Sequence, residues 1–241
     1  MIVPPASPRS RTFDVTPQRL ANWISSFADR HGGGLTAEPG SEIVAFSAAD
    51  GAVARCDVPF PPLGDLEVPP SEVASSLAAH ACAERTVGVL LVRRGGYAAG
   101  VFTGTRPSLA ASKVGSRLVH GRSAAGGQSQ RRFARRRENQ ARQALAAAAD
   151  TAAAVFGPFR LDALVLGGDR RALAAVRTDV RLAPYFERAV SRFLTVPDPR
   201  LSVLQGTPRL FRAIRITLTE PTLAEDRPTT ISLESFGSGG P

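Results

Sequence analysis

Residues 112–140 read SKVGSRLVHGRSAAGGQSQRRFARRRENQ, and the order of residue types in this stretch decides the fold. Lys113 to Val119 extends as a strand, the glycines that follow cannot continue it, and an Arg- and Ala-rich helix is expected from about Gln130 to Val155. Gly121, Gly126 and Gly127 permit positive φ and let a ligand approach the backbone closely. Ser129 is expected to cap the helix, which puts Arg131 and Arg132 in a first turn where the macrodipole disfavours cations. An external phosphate offsets that conflict, because helix N-termini bind anions and arginine grips phosphate bidentately.

At 100° per residue from Arg131, positions Arg142, Arg135, Asn139, Arg132 and Arg136 fall within about 20° to 140°. Phe133, Ala144, Ala148, Ala141 and Leu145 fall within about 200° to 320°, so one face is cationic and the other packs. Arg137 is the exception, on the apolar side.

Outward from this segment, Val87 to Val92 and a second strand through Phe102 form a hairpin whose turn, Arg93-Arg94-Gly95-Gly96, is basic. A helix over Ser71 to Glu84 precedes it. After the long helix come a buried strand at Leu161 to Leu166, a helix capped by Asp169, and a last strand near Ile214 to Leu218. Leu166-Gly167-Gly168-Asp169 lacks the spacing of a phosphate-binding loop and reads as a strand-to-helix turn. The fold class is α/β, a mixed sheet with flanking helices, preceded by a small helix-plus-hairpin unit.

That preceding unit is read from Thr16 and Pro17 at a helix start and from Leu20, Trp23, Ile24 and Phe27 at helical spacing, ending at His31-Gly32-Gly33-Gly34. Two strand-like runs within residues 42–60, turned at Asp50-Gly51, supply the hairpin. PFPPLGDLEVPP, residues 59–70, reads as a linker. The expected division is 1–64 for the small unit, 65–220 for the main domain and 221–241 for a poorly ordered tail, with the first twelve residues also poorly ordered.

Charge narrows the function. Residues 85–149 hold 13 Lys+Arg and a single acid, Glu138, a net of +12, while the rest of the chain carries −3. A polyanion is the expected partner of that segment. No apolar run approaches the roughly 20 residues a membrane helix needs, and the first residues lack a secretory h-region, so no membrane association and a cytoplasmic address are expected. Cys56 and Cys82 have neither zinc-site spacing nor disulfide-scaffold density, and are expected as two buried thiols. Glu138 is the one carboxylate of the basic segment, so neither a metal nor another cofactor is expected there. No feature points to an obligate oligomer.

Gly126-Gly127-Gln128 matches the GGQ signature of translation termination factors, and the wider run resembles the catalytic domain of Vms-like release factors, of the actinobacterial type, within the eukaryotic-type release-factor superfamily. The resemblance covers about residues 85–220 and is strongest from Arg117 to Asn139. It implies a peptidyl-tRNA hydrolase acting on the large ribosomal subunit in ribosome-associated quality control. Gly126, Gly127 and Gln128 would then lie at the reacting ester, and Lys113, Arg117, Arg122, Arg131, Arg132, Arg135, Arg136 and Asn139 would hold RNA. In many members the functional glutamine follows a serine, and here Gln128 and Gln130 flank Ser129, so either is a candidate. His120 is not assigned a role. The rival readings are a non-catalytic ribosome- or RNA-binding protein and a tRNA endonuclease acting near the CCA end.

Overall fold

The computed structural model describes residues 9–64, 68–93, 96–116 and 128–221, the side chains of residues 70 and 128–137 excepted. Arg9–Val15 form strand β1, and Thr16, extended at φ −70° and ψ 148°, leads into helix α1, Pro17–Arg30. Proline has no N–H to leave unpaired at that first helical position. Pro17, Leu20, Ile24 and Phe27 bury one face. Gly32 and Gly33, at φ 93° and 87°, end the helix, and the Gly33 amide returns to the Ala28 carbonyl at 2.8 Å. Strands β2 (Leu35–Pro39), β3 (Ile43–Ala48) and β4 (Val53–Asp57) follow. The β3–β4 turn is the expected one: Gly51 has φ 89°, and the Asp50 carboxylate accepts the Ala52 amide at 2.9 Å.

Beyond it come α2 (Pro70–Cys82), β5 (Val87–Arg93), β6 (Gly96–Thr103), β7 (Ser108–Ser116) and α3 (Gln128–Phe156). The remainder is β8 (Ala163–Gly168), α4 (Arg170–Val176), α5 (Ala183–Phe186), β9 (Ala189–Leu194), α6 (Leu201–Gln205), α7 (Thr207–Phe211) and β10 (Ile214–Glu220).

Two five-stranded sheets result, in the orders β1-β10-β4-β3-β2 and β7-β6-β5-β8-β9. The first is antiparallel throughout. The second is mixed, as expected: β5, β6 and β7 pair antiparallel, while β8 pairs parallel with β5 and with β9. The residues of β5 are buried from Val87 to Val92, which is what a central strand covered on both faces requires. One face packs under α3 and α4 through Leu90, Val92, Ala99, Val101, Ala148 and Phe156. The other packs under α6 and α7 through Val89, Leu91, Phe102, Leu204 and Phe211.

The sheets do not divide the chain at residue 65. β10, expected beside the later strands, lies between β1 and β4, and α2 buries Val73, Leu77 and Ala81 in the core of the first sheet. The polar residues Arg9 to Thr12, expected to be unstructured, are held by pairing with Leu218, Thr219, Glu220 and Thr217 of β10, with an Arg11–Glu220 ion pair at 3.3 Å. Backbone pairing needs no apolar alternation when the strand is an exposed edge. The Pro-rich stretch is likewise no free linker, because Phe60 is buried in one core and Leu63 in the other. β7 begins at Ser108, five residues before the expected strand, and Cys82 is only partly buried whereas Cys56 is fully so. The expected tail from 222 onward lies outside the described residues.

Between the sheets, Arg192 of β9 donates to the Ala213 carbonyl at 2.8 Å and to the Asp14 carboxylate at 2.7 Å. Those bonds tie the edge of the mixed sheet to β1 and to the residue preceding β10.

Candidate nucleic-acid interface

The site begins where β7 ends. Ser116 pairs with Gly96 at the start of β6, so the basic β5–β6 turn and the exit of β7 share one end of the mixed sheet. β8 runs parallel to β5 and finishes at the same end, Gly168 opposite Val92. Residues 117–127, which carry Arg117, His120, Arg122, Gly126 and Gly127, lie outside the described residues, as do Arg94 and Gly95. The two anchors of that segment are described: Ser116 behind it and Gln128 ahead of it.

Gly115 makes the first anchor. It faces Tyr97 across the antiparallel pair, and a Cβ at Gly115 would collide with the Tyr97 ring and hydroxyl. Tyr97 in turn packs against the core beneath α3. Neither residue stands out in the sequence, since the signal, glycine opposite an aromatic, exists only once the register is known.

The second anchor is α3, which starts at Gln128 rather than near Gln130. Ser129 is therefore inside the helix and not its cap, and Gln130 is the third helical residue. Arg131 closes the first turn and Arg132 falls just beyond it. The first amides of a helix lack partners within it, which makes a helix start a donor site for anions. Positions 128 and 130 stand about 200° apart around the axis, so the two glutamines belong to opposite sides.

At 29 residues α3 is about 43 Å long, against about 30 Å for the nine residues of β7. Ala144, Ala148, Ala149 and Ala152 are buried and Leu145 is partly so, but Glu138, Asn139, Ala141, Arg142 and Gln143 are exposed. Of the expected packing face, Ala144 and Ala148 are buried and Leu145 is partly so, whereas Ala141, placed on it by the helical period, is exposed. Arg131, Arg132, Arg135 and Arg136 occupy positions on one arc of the helix's first half; their side chains, with those of Gln128, Gln130, Phe133 and Arg137, are not described.

Of the remaining expected RNA contacts, Lys113 is exposed on β7, and Asn139 is exposed with its Oδ1 accepting from Arg142 at 3.0 Å. Arg142 also lies 3.8 Å from Glu138, so the single acid of the basic segment is occupied by its neighbour one turn on. The turn after β8 is as expected: Asp169 Oδ1 accepts the amides of Arg171 and Ala172 at 2.8 and 3.3 Å. Among the described residues no group of three His, Cys, Asp or Glu side chains is placed to hold a metal ion, and no helix is long and apolar enough to cross a membrane.

The model of the Actinobacteria/chloroflexi VLRF1 release factor family matches residues 85–217. No curated protein matches the chain. Among solved structures, the chain is similar to an archaeal translation termination factor, aRF1, at 12% identity and a TM-score of 0.36, covering 83% of this chain and 64% of that one. A second, described only as an archaeal protein, is 11% identical at a TM-score of 0.33, covering 86% of this chain and 68% of the other. The chain therefore spans less than two thirds of the archaeal termination factor's length.

Proposed function

Because the chain belongs to the Actinobacteria/chloroflexi VLRF1 release factor family, we propose that it is a peptidyl-tRNA hydrolase that frees nascent chains on stalled large ribosomal subunits, in ribosome-associated quality control. What supports the reading is that α3 begins at Gln128, the last residue of the GGQ run, and that Glu138, Asn139, Ala141, Arg142 and Gln143 stand exposed ahead of the buried Ala144, Ala148 and Ala149. A catalytic group that must enter a deep RNA-lined centre needs a support of some length behind it, and the arginines in the first half of this 29-residue helix are the groups that RNA phosphates would meet.

The chemistry is hydrolysis of the ester between the nascent chain and the terminal adenosine of tRNA. Water adds to the ester carbonyl, the bond to the ribose oxygen breaks, and the water's protons end on the ribose oxygen and in solvent, leaving a peptide carboxylate. The amides of Gly127 and Gln128 would donate to the developing oxyanion, a role that the first N–H groups of a helix suit. A carboxamide orients water but is a poor base, so the substrate ribose and the ribosome assist the proton transfer. Affinity would come from Lys113, Arg117, Arg122, Arg131, Arg132, Arg135 and Arg136, with Asn139 at the end of that run.

Peptidyl-tRNA incubated with the protein, with and without large subunits, tests this directly. Intact deacylated tRNA is the expected product. Shortened tRNA would instead favour an endonuclease acting near the CCA end, and binding without either product would favour an RNA-binding protein that does no chemistry.

A further inference from the structure

The basic surface of the mixed sheet does not end with α3. Residues 170–177 read RRALAAVR, three arginines without an acid, and none was assigned a role from the sequence. In α4 and the residue that closes it, Leu173 and Val176 are buried, while Arg170, Arg171, Ala174, Ala175 and Arg177 are exposed. At 100° per residue those exposed positions form one continuous arc of about 160°. Arginines therefore flank two alanines, which offer no bulk to hold a backbone away.

Two of the guanidinium groups are already positioned. Arg170 lies 4.1 Å from the centroid of Phe193 and Arg177 5.7 Å from that of Phe186, so stacking restrains each cation while leaving its N–H groups available. Among the described residues none of the three is paired with a carboxylate. Asp169 lies just ahead of them, but its Oδ1 is used by the amides of the first turn. The location joins them to the site: α4 follows β8 at the end of the sheet where β7 exits, and its Leu173 and Val176 share a core with Ala148, Ala149 and Ala152 of α3.

We infer that the exposed arc of α4, Arg170, Arg171 and Arg177 around Ala174 and Ala175, is a second contact surface for the ribose-phosphate backbone of RNA, beside the packed half of α3. This rests on the reading of α3 as an RNA-holding helix. Arg170 and Arg177 are about 10 Å apart along the axis, so one strand running along α4 can meet all three arginines. An anionic membrane is the poorer partner, since interfacial helices need large apolar anchors and this arc offers only alanine between its cations.

The test is the salt dependence of binding of the full chain to two probes, deacylated tRNA and isolated large ribosomal subunits. The triple change Arg170→Gln, Arg171→Gln, Arg177→Gln should lower the log–log slope by about 2 to 3 on at least one probe, and the triple Lys variant should keep it. A fall with free tRNA assigns the arc to tRNA; a fall confined to subunits assigns it to ribosomal RNA. An unchanged slope on both probes, while Arg131→Gln with Arg132→Gln lowers it, would overturn the inference and leave the α3 reading intact. Unchanged slopes in both sets of variants would remove α3 and α4 together. Equal loss in the Lys and Gln triples would also overturn it, since charge would then not be the cause, as would wild-type binding to phosphatidylserine vesicles that the Gln triple abolishes without altering either RNA slope.

Discussion

The ring of Tyr97 fills the space that any side chain at Gly115 would need. Gly115 is the second-to-last residue of β7, so this contact fixes the strand where the chain departs toward Gly126 and Gly127. Gly115→Ala should therefore displace the ring and cost about 1 to 3 kcal/mol, the usual range for overpacking. The melting temperature should fall by about 2 to 4 °C per kcal/mol. Combined with Tyr97→Ala, which has a packing loss of its own, Gly115→Ala should cost less than the sum of the two single changes, because the collision is gone, and the double-mutant cycle measures that coupling. Strictly additive losses would show that the two residues do not act on each other.

The cysteines should behave differently from one another. Cys56 is fully buried in β4, and burial, with the nearby Asp57 charge, pushes its thiol up to about 12. Cys82 is partly exposed near the end of α2, 3.8 Å from the Gln18 amide nitrogen. A thiol-reactive chromophore at pH 8 should titrate one equivalent in the native protein and a second only on unfolding. Two fast equivalents under native conditions would contradict the burial of β4.

His80 links α2 to the segment before it, its Nε2 lying 3.1 Å from the Phe60 carbonyl and 3.2 Å from Arg85. Burial first, and the Arg85 charge as well, hold its pKa below the ordinary 6.5, against the opposing pull of the Phe60 carbonyl. The folded state then binds fewer protons than the unfolded chain between the depressed pKa and 6.5, so stability falls as pH drops below 6.5 and levels off under the folded value. Thermal melts between pH 7 and 5 should show this decline, and His80→Gln should flatten it. An equal slope in the variant would assign the decline to other groups.

Much of the fold was legible because its signals are local. Thr16-Pro17 and the Leu20, Ile24, Phe27 spacing mark α1, Asp50-Gly51 marks the β3–β4 turn, and the unbroken apolar run of β5 marks a central strand. What was not legible is the pairing of partners some 200 residues apart. Arg9 to Thr12 look unstructured because the chain that orders them, Thr217 to Glu220, is at its other end. Local pattern also could not reveal that Phe60 and Leu63 seat a proline-rich stretch in two cores. At the site, a strand followed by an arginine-rich helix was readable in type and order, the glycines between them lying outside the described residues, whereas the start of α3 at Gln128 was hidden by Ser129, a residue equally suited to cap a helix or begin one.

Catalysis through the GGQ segment should be independent of divalent metal ions apart from those that hold the ribosome together. Peptide release assayed after EDTA treatment, with subunit integrity checked by sedimentation, should proceed at the untreated rate. Loss that zinc or manganese restores on intact subunits would replace the hydrolase reading with a metal-dependent one.

In the proposed mechanism a glutamine carboxamide acts at the ester while arginines supply the affinity, and Gln128 is the glutamine proposed for that role. It follows Gly126-Gly127 directly and opens α3, where Gln130 is already two residues into the helix and on its other side. The most direct measurement is single-turnover release from peptidyl-tRNA on large subunits at saturating protein, comparing Gln128→Ala, Gln130→Ala and the double variant. Gln128→Ala should abolish release with binding nearly unchanged, and Gln130→Ala should leave most of the rate. The reverse pattern would move the role to Gln130, and full release in all three variants would contradict a glutamine mechanism altogether.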